Sequence, residues 1–433
     1  MPKPFHLAWF TNFTAGNWDG VFSHGGSPWD GKFFVEMAQA LERACFDYVI
    51  YEDKLLVPEA FRGSAETTLK YGHQVPKHDP VPLATMVAAM TSKIGVVPTM
   101  STLAWPPFML ARASATIDHI AHGRFGWNIV TSGEDLAAQN FGMDVLPPRD
   151  TRYAMADEYM DVVNQLFDSW EADAVVLDRD RGVYADHTKV HPIHFNGEHF
   201  KVRGPLNTAP SPQGRPTYVQ AGGSPRGRDF AAKHADSIIA TANEIGGMKA
   251  FRDDIRARAE RLGRDPDEIK VLYLVYPIVG ETGEEAHAKY ARMLDEPWYA
   301  EAAVAGIGQI TDIDFSKYNL DEPLPHKLVT NGESGALDKF QQWGSGKTLR
   351  QLAKERYDNG LDLVGSPDEV AERMGAVMET VGGDGYRIST PFQRITRRHI
   401  NEVCEGLVPA LQRRGLARTA YTASTLRETL REF

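Results

Sequence analysis

Residues 122–132 read HGRFGWNIVTS, an apolar strand that ends in polar side chains. The aromatic and β-branched residues in its middle are typical of a strand that is buried on both faces. Asn128, Thr131 and Ser132 are unusual at the end of such a strand, because buried polar groups need hydrogen-bond partners. They indicate either a turn after the strand or the floor of a binding site. The ends of the other predicted strands help to choose between these two interpretations.

Seven further apolar runs of strand length are spread along the chain, at residues 5–11, 48–53, 94–102, 216–224, 236–243, 269–280 and 385–390. Amphipathic stretches with helical periodicity alternate with them, at 31–45, 81–92, 107–121, 151–170, 225–235, 248–262, 367–381 and 394–414. Continuous apolar strands that alternate with helices are typical of a parallel sheet. Eight strand–helix units therefore predict an α/β fold, the (β/α)8 TIM barrel.

A doubly wound open sheet is the alternative architecture. It requires a glycine-rich, dinucleotide-binding turn after an early strand. The residues that follow the first strand, NFTAGNWDG (12–20), contain no GxGxxG pattern, which favours the barrel.

The chain has 433 residues, whereas a barrel without insertions takes about 250. The excess falls at about 54–80, 133–149, 171–214 and 295–364, and strand–helix units resume after each of these segments. We therefore expect a single TIM-barrel domain over 1–433 with four insertions. Within the third insertion, HFNGEHFKV (194–202) predicts a β-hairpin. The fourth is rich in Gly, Asp and Lys and predicts a mobile lid over the barrel mouth.

The composition disfavours several classes of protein. The formal net charge of −11 disfavours nucleic-acid and anionic-membrane partners. No stretch approaches the ~20 apolar residues of a membrane span, and the N-terminus lacks the layout of a signal peptide. Cys45 and Cys404 lie in apolar contexts and are expected to be buried, reduced thiols. These features predict a cytoplasmic protein.

Polar residues recur where the predicted strands end, which is the end of a barrel that carries the active site. The set comprises Glu52, Asp53, Thr99, Ser101, Asn128, Gln220, Ser224, Thr241 and Asn243. They are mostly hydroxyls and amides, and the one carboxylate pair, Glu52 and Asp53, points to opposite faces of its strand. Five such strand ends predict a neutral hydrogen-bonding floor for a large planar heterocycle and disfavour a hydrolase, which needs paired carboxylates or metal ligands.

Two segments predict a phosphate site. In QAGGSPRGRDFAAKHAD (220–236) a strand ends in Gly222 and Gly223, and Ser224 is placed to cap the helix that follows. Glycine allows close approach of the backbone, and free N–H groups at a helix start bind anions. In PPRDTRYAMADEYMDVV (147–163), Arg149 and Tyr153 stand at the start of another helix. Tyr153 is interpreted equally well as a phosphate ligand or as a core residue.

Four histidines, at 187, 191, 194 and 199, invite a metal interpretation. They lie in an extended, proline-containing segment that has no cysteine and no obvious carboxylate partner, so we predict no metal site there. No GxSxG, HExxH or P-loop pattern identifies a catalytic residue elsewhere.

The chain resembles the bacterial luciferase-like superfamily in four segments, GRFGWNIVTS (123–132), QNFG (139–142), RYAMADEYMDVVNQLFDSW (152–170) and SPQGRPTYVQAGGSPRGRDFAAKHAD (211–236). More narrowly, it resembles the branch of nitrilotriacetate, dibenzothiophene-sulfone and long-chain-alkane monooxygenases. The resemblance runs from HLAWF (6–10) to VPALQRRGLARTAY (408–421), which is nearly the whole chain.

The resemblance implies a two-component, FMN-dependent monooxygenase. A separate NAD(P)H:flavin reductase would supply reduced FMN as a co-substrate, and O2 would oxygenate a small organic substrate at a C–N, C–S or C–H position. By matching positions, the flavin ring and ribityl chain would contact Asp53, Thr99, Ser101 and Asn128, and the phosphate would contact Arg149, Tyr153, Gly223 and Ser224. The resemblance also implies a homodimer or homotetramer.

Two departures from the family pattern concern Arg149 and the segment after the first strand. Relatives often have a histidine at the position of Arg149; arginine keeps the anion binding but does not titrate near neutral pH. Many relatives carry a Trp-Arg-His element where this chain has Trp18-Asp19-Gly20, with His24 nearby, so substrate identity is not carried over. A deazaflavin-dependent oxidoreductase of the same superfamily is the alternative function.

Overall fold

The computed structural model describes residues 3–12, 31–72, 74–241, 244–296, 298–325, 328, 330, 337, 341, 344, 346–355, 361–391 and 395–433. Eight parallel strands close into a barrel, in the order β1–β8–β7–β6–β5–β4–β3–β2, which confirms the predicted fold. The strands are β1 His6–Thr11, β2 Tyr48–Tyr51, β3 Gly95–Ser101, β4 Gly126–Val130, β5 Thr217–Gln220, β6 Ser237–Ala240, β7 Lys270–Val275 and β8 Gly385–Ser389.

Helices follow the strands and cover the outside of the barrel. They are α1 Lys32–Arg43, α2 Pro80–Met90, α3 Pro107–Ile120, α4 Arg149–Phe167, α5 Pro225–His234, α6 Ile245–Arg261, α7 Pro367–Val381 and α8, which is built from Arg397–Asn401, a π-helical segment Glu402–Leu407, and Val408–Arg413. No described helix is long and apolar enough to cross a membrane.

Side chains alternate between the two faces of each strand, so the barrel has an inner core and an outer core. Ala8, Ile50 and Leu272 pack in the barrel interior, whereas Trp9 and Trp127 pack outward against the helices. This period of two assigns every strand residue to a face. On β3 and β4 it places Thr99, Ser101 and Asn128 on the interior side.

The N-terminal end of the barrel is closed by the short C-terminal helix Leu426–Leu430. Leu426 and Leu430 belong to the interior core. An added Cβ at Gly95 or Gly126 would lie within 3 Å of a neighbouring side-chain carbon, from Leu426 in the first case and Val97 in the second. These two strand starts therefore carry glycine because the plug and its neighbours occupy the space, and only the opposite end of the barrel is left for a ligand.

Long connections carry the remaining elements. Phe61–Gly63 and Glu66–Tyr71 lie between β2 and α2, and Asp135–Gln139 lies between β4 and α4. Two antiparallel pairs, Val175–Asp178 with Val183–Ala185 and Phe195–Asn196 with Lys201–Val202, flank the turn His187–Lys189 between α4 and β5. Pro266–Glu268 precedes β7. Between β7 and α7 lie Ile278–Val279, Gly283–Leu294, Tyr299–Thr311, Phe315–Lys317, Leu349–Glu355 and Val364–Gly365.

The hairpin predicted over 194–202 is present. Phe195 pairs with Val202 and Asn196 with Lys201, so Gly197 to Phe200 form a four-residue loop. The Glu158 carboxylate on α4 accepts hydrogen bonds from the backbone N–H groups of Glu198, His199 and Phe200 at 2.8–3.2 Å. The hairpin tip is therefore docked on the helix that also carries Tyr153.

The described part of the segment predicted to be a lid packs on the connection after β2. Phe61, Tyr299 and Phe315 lie in one satellite core, separate from the barrel core. Tyr71 donates to Glu301 at 2.6 Å, across the same contact. Most of residues 326–345 lie outside the described residues.

Gly385, where β8 pairs with β1 to close the barrel, has φ +152°. A substitution there tests whether the close approach of the two strands requires glycine. An added Cβ would lie 2.7 Å from the backbone nitrogen of His6 and closer still to its carbonyl oxygen, so the two strands would have to separate. We expect Gly385→Ala to lower the free energy of unfolding by more than about 3 kcal/mol in urea titrations. Gly246→Ala, in open space in α6, is the control and should be neutral or stabilising by roughly 0.5–1 kcal/mol. Equal losses in both variants would contradict this account.

Candidate active site

Asn128 and Thr99, two of the residues predicted to form the floor of the site, lie next to each other on the interior side of the barrel. They are register partners on adjacent strands, and Asn128 Nδ2 donates to Thr99 Oγ1 at 2.8 Å. Both side chains are buried, and Asn128 Oδ1 has no hydrogen-bond partner among the described residues. A buried, unpaired amide oxygen is costly unless a ligand supplies the donor.

Ser101 lies one residue pair further up the same face of β3. Its Oγ lies 2.7 Å from Ser132 Oγ and accepts a hydrogen bond from the Leu103 N–H at 3.2 Å. The hydroxyls of Ser101 and Ser132 thus tie the two strand ends to each other. Ser132 therefore lies in a strand-end turn, whereas Asn128 remains a predicted floor residue.

Asp53 follows β2 and has an unusual protonation equilibrium. Its Oδ1 accepts from the Lys54 N–H at 2.8 Å. Desolvation raises the pKa of the Asp53 carboxyl to about 6, although the nearby Lys77 charge opposes this. A carboxyl with this pKa changes between a hydrogen-bond donor and an anion close to neutral pH.

Lys77 binds polar side chains at the ends of β1 and β2. Its Nζ donates to Glu52 at 2.8 Å and to Asn12 Oδ1 at 3.1 Å, and its side chain is only 1% exposed. The connection after β2 therefore returns a lysine to the ends of β1 and β2. Nothing in the local pattern around Lys77 indicated this contact.

Ser224 and Tyr153 meet at the start of α5. Ser224 caps the helix, its Oγ accepting from the Gly227 N–H at 3.1 Å, as predicted. The buried Tyr153 side chain is hydrogen-bonded to Ser224. Burial raises the pKa of the Tyr153 hydroxyl, so that it remains a neutral donor and acceptor at physiological pH.

A positive field surrounds this pair. Arg149, Arg152 and Arg226 all oppose the rise in the Tyr153 pKa through their charges. Arg226 lies 5.3 Å from the centre of the Tyr153 ring and is paired with Asp157. Arg149 is the first residue of α4 and is half-buried, whereas the buried Arg152 donates to the Pro147 carbonyl at 2.6 Å. Arginine charges at two helix starts favour an anion there.

The turn between β5 and α5 is packed so tightly that no residue larger than glycine fits at position 222. An added Cβ there would lie 2.5 Å from the Gly227 carbonyl oxygen and 2.6 Å from Gln220 Oε1. Gln220 Oε1 is buried without a partner in the described chain, although its Nε2 donates to the Ala221 carbonyl at 2.9 Å. Gly223 follows on the same turn, and its carbonyl accepts from Arg228 Nε at 3.0 Å.

These features fit a flavin nucleotide. The glycine turn, the Ser224 cap and the Tyr153 hydroxyl provide a cradle for a phosphate, next to three arginine charges. Asn128 Oδ1, unpaired among the described residues, faces the interior and could accept from a ring or chain donor. Gln220 follows the interior residue Val219, so it lies on the outer face of β5, next to the Gly222 turn.

Some of the predicted residues lie outside the described chain. They are Trp18-Asp19-Gly20 and His24 after β1, and Asn243 after β6. Within the described residues, no group of three or more His, Cys, Asp or Glu side chains is arranged to hold a metal ion. Cys45 and Cys404 are free and buried, as predicted.

The comparison with family models matches residues 7–385 to the luciferase-like monooxygenase family. The chain is 36% identical to the dimethyl-sulfide monooxygenase of Hyphomicrobium sulfonivorans, over 98% of this chain and 89% of that protein. It is 34% identical to the dibenzothiophene-sulfone monooxygenase of Rhodococcus erythropolis strain XP (99% and 96% covered). It is also 34% identical to nitrilotriacetate monooxygenase component A of Aminobacter aminovorans (93% and 90%).

Two solved structures show the same fold. A long-chain alkane monooxygenase superposes with a TM-score of 0.87 at 34% identity, over 99% of this chain and 96% of that one. A riboflavin lyase, solved with modified FMN and its substrate riboflavin, superposes with a TM-score of 0.89 at 31% identity, over 100% and 96%.

The raised pKa of Asp53 predicts a pH-dependent effect of Asp53→Asn on stability. Between pH 4 and 6 the native carboxyl holds a proton that the unfolded one has lost, so this residue's contribution to stability falls as pH rises through 6. We expect Asp53→Asn to be more stable than wild type by roughly 1–2 kcal/mol at pH 8, allowing for partial exposure, and no more stable near pH 4.5. Urea unfolding at three pH values measures the difference. The exposed Asp144→Asn is the control, and a gain that is independent of pH would contradict the raised pKa.

Proposed function

This chain belongs to the luciferase-like monooxygenase family of oxidoreductases, and on that premise we propose that it is an oxygenase component that uses reduced FMN and O2 to oxygenate a small organic substrate. Two observations support the proposal. Ser224 and Tyr153 meet at the start of α5 among arginine charges, and the buried oxygen of Asn128 on the interior face of β4 has no partner among the described residues.

The proposed binding residues divide into two groups. Ser224, Tyr153, Arg149 and the backbone at Gly223 would hold the phosphate, whereas Asp53, Thr99, Ser101 and Asn128 would contact the ring and ribityl chain. The riboflavin lyase supports the choice of flavin, because its solved structure contains modified FMN. Reduced FMN, when bound, supplies the electrons that activate O2 for insertion of one oxygen atom into the substrate.

The chain's own residues contribute binding, orientation and exclusion of water. Asn128 and Thr99 hold a fixed pair of polar atoms against one wall, so that the ring would be oriented without reorganisation. The satellite core of Phe61, Tyr299 and Phe315 holds part of the segment that is predicted to be a lid, and such a lid would keep solvent from the reacting centre. Asp53 can hold or release a proton near neutral pH at its carboxyl oxygens.

A separate NAD(P)H:flavin reductase is part of the proposal. The chain has no GxGxxG dinucleotide turn after its first strand, and one relative is named component A of its monooxygenase. The relatives at 34–36% identity are all named monooxygenases, which does not favour the alternative of a deazaflavin-dependent oxidoreductase. The single-domain organisation, the lid and the homodimer or homotetramer remain predictions.

The direct test is anaerobic titration with photoreduced FMN, followed by stopped-flow mixing with air-saturated buffer. We expect tight binding of reduced FMN and a transient spectrum that matches neither reduced nor oxidised free FMN. The control is free reduced FMN mixed in the same way, together with reduced deazaflavin offered to the protein. Absence of binding, or reoxidation at the rate of free FMN, would refute the monooxygenase proposal.

The phosphate cradle is tested by comparing FMN with riboflavin, which lacks the phosphate. Ser224→Ala and Tyr153→Phe should each weaken reduced FMN binding by roughly 10- to 100-fold, because each removes a hydrogen bond to a charged group, and should leave the weaker binding of reduced riboflavin unchanged. Two matched controls carry the same chemical changes elsewhere. Ser366→Ala removes the Ser-Pro cap of α7, and Tyr421→Phe removes a hydrogen bond to the Phe46 carbonyl. Similar losses with both flavins would place the two side chains outside the phosphate site.

A further inference from the structure

Arg387 lies in the wall of the barrel opposite the proposed flavin floor. It is the third residue of β8, between Tyr386 and Ile388, which pack in the outer core, so its side chain faces the interior. In the closed order of strands, β8 is four positions from β4, which carries Asn128. An interior arginine therefore faces the floor across the barrel.

The Arg387 guanidinium has no acceptor among the described residues. The side chain is only 3% exposed, and no hydrogen bond or ion pair joins it to another described residue. The guanidinium lies over the Phe10 ring, whose centre is 4.4 Å from the guanidinium carbon. Glu52 acts on Arg387 only through its electrostatic field, because its carboxylate is paired with Lys77.

Three other arginines are buried in the described chain, and each has protein acceptors. Arg124 donates to carbonyl oxygens of Ala88, Thr91 and Ile94. Arg418 pairs with Asp47 and Glu432, and Arg152 donates to the Pro147 carbonyl. Arg387 is therefore the exception among them, which points away from a structural role.

Arg387 is nevertheless charged. Desolvation lowers its pKa to about 10, so the guanidinium remains a cation at neutral pH. Keeping an unpaired cation in a barrel interior opposes folding, and side chains that oppose folding are typical of functional sites. A guanidinium presents its N–H groups in a planar fork that matches a carboxylate.

We propose that Arg387 binds a carboxylate of the substrate and that the enzyme acts on a small aliphatic carboxylate. The inference rests on the proposed function, since it assumes that the flavin binds on the opposite side of the barrel, at Asn128. Names among the relatives include both a neutral sulfide and nitrilotriacetate, so family membership alone does not choose between neutral and anionic substrates. Phe10, Ile50 and Leu274 supply apolar interior surface for the rest of such a molecule.

The test uses butanoate and butanamide, which match in size but differ in charge, in chloride-free buffer. Calorimetric titration should show that wild type binds butanoate and binds butanamide at least tenfold more weakly. Arg387→Met should lose at least tenfold in butanoate affinity, and Arg387→Lys should retain part of it. Equal binding of the acid and the amide, or butanoate binding that is unchanged in Arg387→Met, would overturn the proposal.

Thermal unfolding separates a ligand-binding arginine from a structural one. Arg387→Met should melt at or above the wild-type temperature, whereas Arg418→Met, which removes a paired buried arginine, should melt several degrees lower. A comparable fall in Arg387→Met, or failure of that variant to fold, would overturn the proposal, and Arg387→Lys then reports whether the charge alone restores folding.

Measurement of reduced FMN binding separates the role of Arg387 from the proposed function of the whole protein. If Arg387→Met binds reduced FMN as wild type does and loses butanoate, the arginine belongs to the substrate side. A tenfold loss of reduced FMN affinity in Arg387→Met would assign the arginine to the flavin and overturn the substrate proposal. If wild type does not bind reduced FMN, the proposed function fails, while butanoate binding is still measured independently on the apo-protein.

Discussion

Closure of the barrel depends on the contact between its first and last strands. Gly385, at the start of β8, lies against the backbone of His6 so closely that no side chain fits between them. This pairing joins the ends of the sheet, so that the eight parallel strands surround a common axis. The C-terminal helix then fills one end, so the polar residues at the other end converge on a single mouth. The site depends on this arrangement, since its residues come from strands far apart in sequence.

Charge within the mouth is distributed unevenly. The floor on β3 and β4 is neutral, whereas arginines surround the start of α5. Asp157 stabilises that cluster by pairing with Arg226 and His234, and these partners hold the pKa of its carboxyl well below the usual range against the effect of burial. With Arg226 held over the Tyr153 ring, the tyrosine hydroxyl is directed to Ser224. A neutral floor next to a positive cradle, as proposed, would complement an uncharged ring that carries a phosphate.

Local patterns in the sequence predicted several features correctly, each for an identifiable reason. The alternation of apolar strands and helices predicted the barrel, because burial on both faces leaves a strand without polar positions. Ser224 and Ser366 were recognisable as caps, since a Ser-Pro pair before a helix satisfies its free N–H groups. The hairpin at 194–202 followed from its turn residues, although its loop is four residues long. Long-range contacts gave no such signal: Lys77 reaches Glu52 from a loop, and Arg387 stands within an ordinary apolar run.

The amino-acid sequence alone was therefore sufficient for the order of the elements, the helix caps and the set of polar residues at the strand ends, because these depend on periodicity and on neighbours along the chain. Tertiary structure added which of those residues have partners. Ser101 is hydrogen-bonded to Ser132, whereas the side-chain oxygens of Asn128 and Gln220 have no partner among the described residues. It also placed Arg387 in the interior, where no described residue accepts a hydrogen bond from it. Whether a buried polar atom is satisfied depends on groups that folding brings together from distant positions, and no local pattern encodes that.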